Sequence, residues 1–515
     1  MESGGITRRI GRHLDTTVFT GSAVLVVPFV LLGAAAPALL KSMSGAALGY
    51  LTQSWSWLYL SSVNLFVVAA LALALSPYGR IRLGRDDEKP EYGWLSWFAM
   101  LFSAGMGIGL VFWSIAEPLY HYASPPKGVG ATAESARLAF QIFCHHWGIH
   151  AWGTYVAVGL PLAYFQFRKG LPGTVSHCLF PRGKGKQKGN GAASRTGKLV
   201  DMLAVWATVM GVVTSLGLGA LQITSGLHLS WGLPGGTATT AAVIGVITVL
   251  YIASALSGVK RGIRMLSLLN VALMVLLLIF FMVKGPFGFI LKTLGVALTD
   301  YATGILPLST TFSLFGNRDW TESWTVFYWA WWIAWAPFVG AFIATISRGR
   351  TIREFVLGVM FLPALFSILF STALGGTAVW LELEQGAGLM SAVSQSLEAA
   401  LFQTLAHLPL YGLLAFLANL LIASFFITSA DSATLVISRF STGGHGGGPE
   451  SAEGKLLIVF WGLLLGGLAM VLIWSGGLKA LQTASIIGAF PFVFVMLFLL
   501  ASLTRELIRE GKPKA

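Results

Sequence analysis

The chain has 515 residues, 55% of them hydrophobic and 11% charged, with a formal net charge of +13. An ordinary soluble domain carries roughly 25% charged residues, so these proportions exclude a soluble globular enzyme, a disordered chain and a collagen-like or disulfide-stapled protein. What remains is an all-α polytopic membrane protein, with apolar residues enough for about a dozen spans at about 20 residues each. The 61 glycines suit close helix packing and broken helices in lipid. Cys144 and Cys178 establish no disulfide framework.

Apolar stretches predict twelve spans, at 17–40, 54–76, 94–116, 138–166, 198–228, 238–257, 264–284, 322–346, 354–375, 407–437, 456–475 and 484–504. The first follows Arg8, Arg9 and Arg12 but is too long for a signal peptide, and no polar domain comes after it. Two further stretches, 286–309 and 375–406, carry Lys292, Asp300, Glu382, Glu384 and Glu398 and read as interfacial segments.

Placing both termini in the cytoplasm puts 27 of the 34 Lys and Arg residues on the cytoplasmic side and 7 outside. This is the positive-inside asymmetry of a multi-pass protein of the inner (plasma) membrane. The basic excess therefore records orientation and gives no support for a nucleic-acid partner. No Lys or Arg falls mid-span, and among the acids only Asp431 and Asp201 are expected within the membrane. A buried ionisable group there is a functional candidate by default, and so few of them suit a relay of paired carboxylates poorly.

Three constellations carry chemistry. In the third span, Gly105, Met106, Gly107, Ile108 and Gly109 alternate glycine with apolar residues. The pattern reads as a broken helix lining a cavity, where freed carbonyls face a cation and freed amides an anion, or as a packing face of small residues. In the eighth span, Trp329, Trp331, Trp332 and Trp335 crowd FYWAWWIAW, and the last three share one helix face. With Trp147, Trp152 and Tyr155 they compose a set of rings suited to a quaternary ammonium, which has no N–H to donate and is held by ring quadrupoles. An interfacial aromatic belt is the other reading, but belts lie at span ends. In the tenth span, Phe425 to Ser432 (FFITSADS) offers hydroxyls and a carboxylate, either as hard oxygen ligands for a small cation or as helix–helix hydrogen bonds. His145, His146 and His150 cluster, with the remaining histidines isolated, and are too few for a di-iron membrane enzyme. No Ser-His-Asp, zinc or P-loop arrangement appears, so no enzyme is expected.

Together GMGIGLVFWSIAEP (105–118), HHWGIHAWGTY (145–155), the tryptophan-rich block 324–356, ITSADS (427–432) and SLGLGALQI (215–223) resemble the betaine/carnitine/choline transporter family over essentially the whole chain. The resemblance implies a leucine-transporter-type fold with two leading helices before a 5+5 inverted repeat. It divides the chain into a cytoplasmic N-terminus (1–16), two leading helices and a loop (17–93), a first repeat (94–284), an interfacial segment (285–321), a second repeat (322–504) and a basic tail (505–515). It implies a secondary active transporter without a cofactor, homotrimeric, with the lipid bilayer and anionic lipids at its cytoplasmic face as further partners. The aromatic box maps onto Trp147, Trp152, Tyr155, Trp331, Trp332 and Trp335, with Trp329 on the cytoplasmic route and 105–109 meeting the substrate's carboxylate. One sodium site is implied at Ser103, Met106, Phe425, Thr428 and Ser429, and a second at Thr208 and Phe338. A departure at Val212, which has no ligand oxygen, puts the second in doubt.

The family's proton-coupled choline carriers tend to have an acid where this chain has Gly109, and its cation-independent carnitine exchangers place a positive side chain in the sodium site. Neither feature is present here. The expectation is therefore sodium-coupled uptake of glycine betaine or a related onium zwitterion by alternating access. The alternative is proton-coupled or exchange transport of choline or carnitine. Only eleven residues follow Thr504, so no strong tail-based osmotic activation is expected.

Overall fold

A computed structural model describes residues 14–105, 107–181, 194–258, 260–311, 313, 316–444 and 448–510. Helices α1 (Thr16–Ala35) and α2 (Pro37–Leu75) precede the broken pairs α3 (Trp94–Gly105) with α4 (Ile108–Ala123), and α5 (Ala133–Trp147) with α6 (Ile149–Ala163). Then come α7 (Val175–Leu179), α8 (Arg195–Trp231), α9 (Thr237–Ser257), α10 (Lys260–Lys284) and α11 (Phe287–Thr310). The short α12 (Arg318–Ser323) leads into α13 (Thr325–Thr345) and α14 (Ile352–Gln385). The short α15 (Leu389–Gln395) and α16 (Ala400–Ala406) precede α17 (Tyr411–Ser441) and α18 (Ala452–Glu510).

Among the described residues, ten helices are long and apolar enough to cross a membrane. The difference from the expected twelve has local causes. The third and fourth predicted spans are each split into halves too short to count. The eleventh and twelfth are two helices counted as one in α18, separated as expected by a kink at Gly477, at φ 59° and ψ −140°. The 286–309 segment, read as interfacial, forms a 24-residue helix that is counted among the ten by length and apolar content, with few of its residues buried.

Three boundaries also differ. The chain breaks at Ala36 and restarts at Pro37, a good first helical residue, so the expected loop 41–53 is helical within α2. That 39-residue helix measures about 58 Å at 1.5 Å per residue and must project beyond a core about 30 Å thick. α14 runs on to a left-handed stop at Gly386, φ 57°, so only the later part of 375–406 forms short separate helices. The third span does not end at 116, because α4 carries Pro118 internally and continues to Ala123.

Helix starts follow capping chemistry. Thr351 and Glu354 form a reciprocal box at α14, and Asp15 accepts from Thr17 and Val18 at α1. At the loop end of α2, Glu88 accepts from the Arg85 amide and from Arg348, which holds its carboxyl below the usual range. α13 is apolar on every side, and every residue from Thr325 to Gly340 is buried, as expected of a helix without a polar face. It packs on α6 and α8, and α8 packs on α17 and α18. These buried helices bring the break between α3 and α4 to the centre of the molecule.

Candidate functional site

At the break, Gly107 is extended (φ −143°, ψ −153°) and α4 begins at Ile108 without a side-chain cap. Met106 lies outside the described residues, as does the side chain of Ser103, so the first sodium-site expectation is only partly visible. A Cβ built at Gly107 would lie 3.6 Å from Ser429 Oγ and 4.0 Å from Trp335. α17 thus presents Ser429 to the break. One built at Gly109 would stand 2.5 Å from Trp331 and 3.3 Å from Trp147. Only glycine lets the two indoles approach this backbone. A Gly109→Ala variant is therefore expected to push Trp331 aside and weaken substrate binding about tenfold, since overpacking costs about 1–3 kcal/mol. Comparing substrate affinity with thermal stability in this variant checks that the loss is local.

The rings form one cluster. Trp331 and Trp332 stack with centroids 5.0 Å apart. Trp147 stands edge-on to Trp332 at 4.8 Å and to Trp331 at 6.2 Å. Trp335 meets Trp331 at 6.5 Å. These four indoles, with Gly107, Gly109, Leu110 and Ser215, line a narrow cavity with room for about one water molecule. Tyr155 contacts the outer side of the set at Trp332 (6.1 Å), and Trp152 contacts Tyr155 (5.5 Å); neither lines the cavity. Trp329 also stands apart, stacked on His150 at 5.4 Å and edge-on to His145 at 5.0 Å.

Three of the four indoles are anchored through nitrogen. Trp335 donates to the Gly211 carbonyl (2.7 Å), Trp332 to the His146 carbonyl (3.0 Å) and Trp147 to Glu117 Oε2 (3.0 Å). The buried Trp331 Nε1 and Tyr155 hydroxyl have no hydrogen-bond partner. Buried donors rarely stay unpaired without a reason, and Trp331 leaves one on the cavity wall.

Glu117 is a further buried acid besides Asp431 and Asp201, the two singled out from sequence. It is fully buried on α4 and accepts from Trp147, from the Tyr328 hydroxyl (2.5 Å) and from His146 Nδ1 (2.6 Å). It therefore ties α4 to α5 and α13, the helices that carry the box. His121, read as isolated, lies one turn along α4 and faces the same carboxylate, with Nε2 3.8 Å from Oε1. Ending the third span before Pro118 hid both. The signal was a Glu and a His four apart, on one helix face, in an otherwise apolar run.

The remaining site residues fall as follows. Phe425 and Thr428 are buried on α17, and Thr428 Oγ1 accepts from Asn270 Nδ2 of α10 at 3.0 Å. Asn270 was not singled out from sequence, although a lone amide in an apolar span was a signal, and its Oδ1 has no partner. Asp431 is buried and accepts from Ser254 (2.5 Å), and Asp201 accepts from the amide and hydroxyl of Ser176. In the second sodium-site region Thr208 bonds its own helix at Ala204, Phe338 packs on Trp335, and Val212 is buried. Thr214 turns away to α18, bonding the Leu481 carbonyl and Ser485.

Residues 17–512 match the profile of the betaine/carnitine/choline family transporters. A glycine betaine transporter OpuD of Bacillus subtilis is 45% identical, over 97% of this chain and 96% of that protein. A probable glycine betaine transporter of Desulfitobacterium hafniense is 42% identical over 97% and 98%. An ectoine/hydroxyectoine transporter of Virgibacillus pantothenticus is 40% identical over 98% of both. These relatives are transporters, not enzymes, and the chain belongs to the betaine/carnitine/choline transporter family.

Proposed function

We propose that this protein takes up glycine betaine, or a closely related onium zwitterion, coupled to sodium and by alternating access. The observation that carries the reading is the cavity walled by Trp147, Trp331, Trp332 and Trp335 against Gly107 and Gly109. Indole faces attract a methylated ammonium, and the absence of an acid among the described cavity-lining residues leaves a carboxylate on the ligand to be met by donors. The unpaired Trp331 N–H and the uncapped amides at the start of α4 supply them. A trimethylammonium is several times larger than a water molecule, so the rings must part on entry. In this reading the substrate stabilises one conformation of a helix set that has at least two.

Sodium is assigned to the other side of the break, between backbone near Ser103 and Met106 and the α17 residues Phe425, Thr428 and Ser429. The close approach of Ser429 to Gly107 supports this. A second ion at Thr208 and Phe338 is not proposed as a full site, since Val212 offers no oxygen. The twelve-span arrangement follows if each broken pair counts as one crossing, α18 as two around Gly477, and α11 lies at the interface. Both termini are then cytoplasmic, in the inner membrane. The trimer expected of the family is part of the same reading.

Tryptophan fluorescence tests the site directly. Glycine betaine is expected to change the emission of the purified protein saturably, with an affinity that falls at least tenfold when potassium replaces sodium. A Ser429→Ala variant should shift the sodium requirement upward while leaving the betaine response at saturating sodium. An affinity indifferent to sodium in both proteins would sink the coupling assignment.

A further inference from the structure

Glu117, His121 and His146 place three ligand atoms within 4.8 Å of one another, all fully buried. Two come from one face of α4, four residues apart, and the third from α5. An i, i+4 pair completed by a neighbouring helix is a recurrent way to chelate a metal. The outward-facing atoms of the cluster are already engaged. Glu117 Oε2 accepts from Trp147 and Tyr328, and His146 Nε2 contacts Thr325 Oγ1 at 3.0 Å. The other three atoms face one another: Glu117 Oε1 and His146 Nδ1 are bonded at 2.6 Å, and His121 Nε2 stands 3.8 Å from Oε1.

Both His121 nitrogens are buried and neither makes a hydrogen bond; the nearer approach to Glu117, 3.8 Å, is too long for one. A buried imidazole held only by a long approach to one carboxylate has room for a ligand. Tetrahedral zinc, at about 2.0–2.2 Å from nitrogen and oxygen, holds its ligand atoms about 3.3 Å apart. His121 would close on Glu117 from 3.8 Å and His146 would open from 2.6 Å, within a set whose atoms now lie up to 4.8 Å apart. The His146 proton would move from Nδ1 to Nε2, and the Thr325 hydroxyl would rotate to accept it. Two imidazoles and one carboxylate suit zinc or cobalt better than calcium or magnesium.

We propose that Glu117, His121 and His146 bind one divalent transition ion of the zinc type, reached from the outer face, and that its binding arrests transport. Access follows from the roof. Trp320 of α12 and Trp324 cover the cluster, with ring centroids 5.3 Å and 4.4 Å from His121. The charge asymmetry places this short helix outside, so the ion enters when α12 lifts. Once bound, the ion clamps α4 to α5 beside Trp147, whose indole hangs on the same carboxylate. The binding half of the proposal is independent of the betaine reading; the arrest half rests on it.

The test uses tag-free purified protein titrated with cobalt(II) chloride. A saturable visible ligand-field spectrum at one equivalent per chain, displaced by zinc, is expected. His121→Gln should abolish it with unchanged melting temperature, and His121→Cys should restore binding with a new thiolate-to-cobalt charge-transfer band. In proteoliposomes, external zinc should inhibit betaine uptake by wild type at a concentration at least tenfold below that needed for His121→Gln, whose metal-free uptake is unchanged. Absence of a saturable spectrum, or one that survives His121→Gln without change, overturns the site. A spectrum that behaves as stated without zinc inhibition overturns the arrest. The spectrum with no betaine uptake at all keeps the site and discards the betaine reading.

Discussion

Replacing Trp332 with leucine is expected to raise the apparent dissociation constant for glycine betaine about 30-fold. Trp332 stacks on Trp331 and receives the edge of Trp147, so it touches two of the other three rings on the cavity wall. A desolvated cation–π contact contributes about 2 kcal/mol, and every 1.4 kcal/mol is a factor of ten in affinity. Leucine keeps apolar bulk but removes the quadrupole and the N–H that holds the His146 carbonyl. Trp332→Phe keeps the quadrupole, so its loss should be smaller, within about fivefold. Equilibrium binding of labelled betaine separates the two variants. Equal losses in both would show that ring electrostatics are not what holds the substrate.

The second large effect is expected at Glu117, which touches no cavity but positions the rings that do. Glu117→Ala leaves the His146, Trp147 and Tyr328 donors buried without an acceptor, at about 1–3 kcal/mol each. The expected result is a loss of betaine affinity of at least tenfold together with a lower melting temperature. Glu117→Gln keeps one carbonyl acceptor and should recover part of both. A merely structural role would move stability and leave the betaine affinity of the surviving folded protein unchanged, so the affinity is the deciding readout.

Much of this site was readable in the chain. The alternating glycines anticipated the break because three glycines in one turn and a half weaken an otherwise apolar helix. The Trp331, Trp332 and Trp335 face followed from helical spacing, and these residues line one cavity with Trp147. Trp152, Tyr155 and Trp329 were indistinguishable from them in sequence, since spacing does not say which ring packs against the cavity and which against a histidine.

Glu117, His121 and Asn270 were missed for a common reason. Hydropathy windows end spans at charge and proline, whereas α4 continues through Pro118 because its neighbours satisfy the buried carboxylate. The long α2 escaped for the opposite reason. Helical continuity through polar residues such as Lys41 and Gln53 leaves no mark in apolar content.

The central claim is sodium-driven movement of a quaternary-ammonium zwitterion through this box. Its most direct test is uptake of labelled glycine betaine into proteoliposomes, under an inward sodium gradient or under a proton gradient without sodium. Accumulation that requires sodium, is weakly competed by choline and is lost in Trp332→Leu is the predicted result. Accumulation driven by protons alone, or full activity in Trp332→Leu, would contradict it.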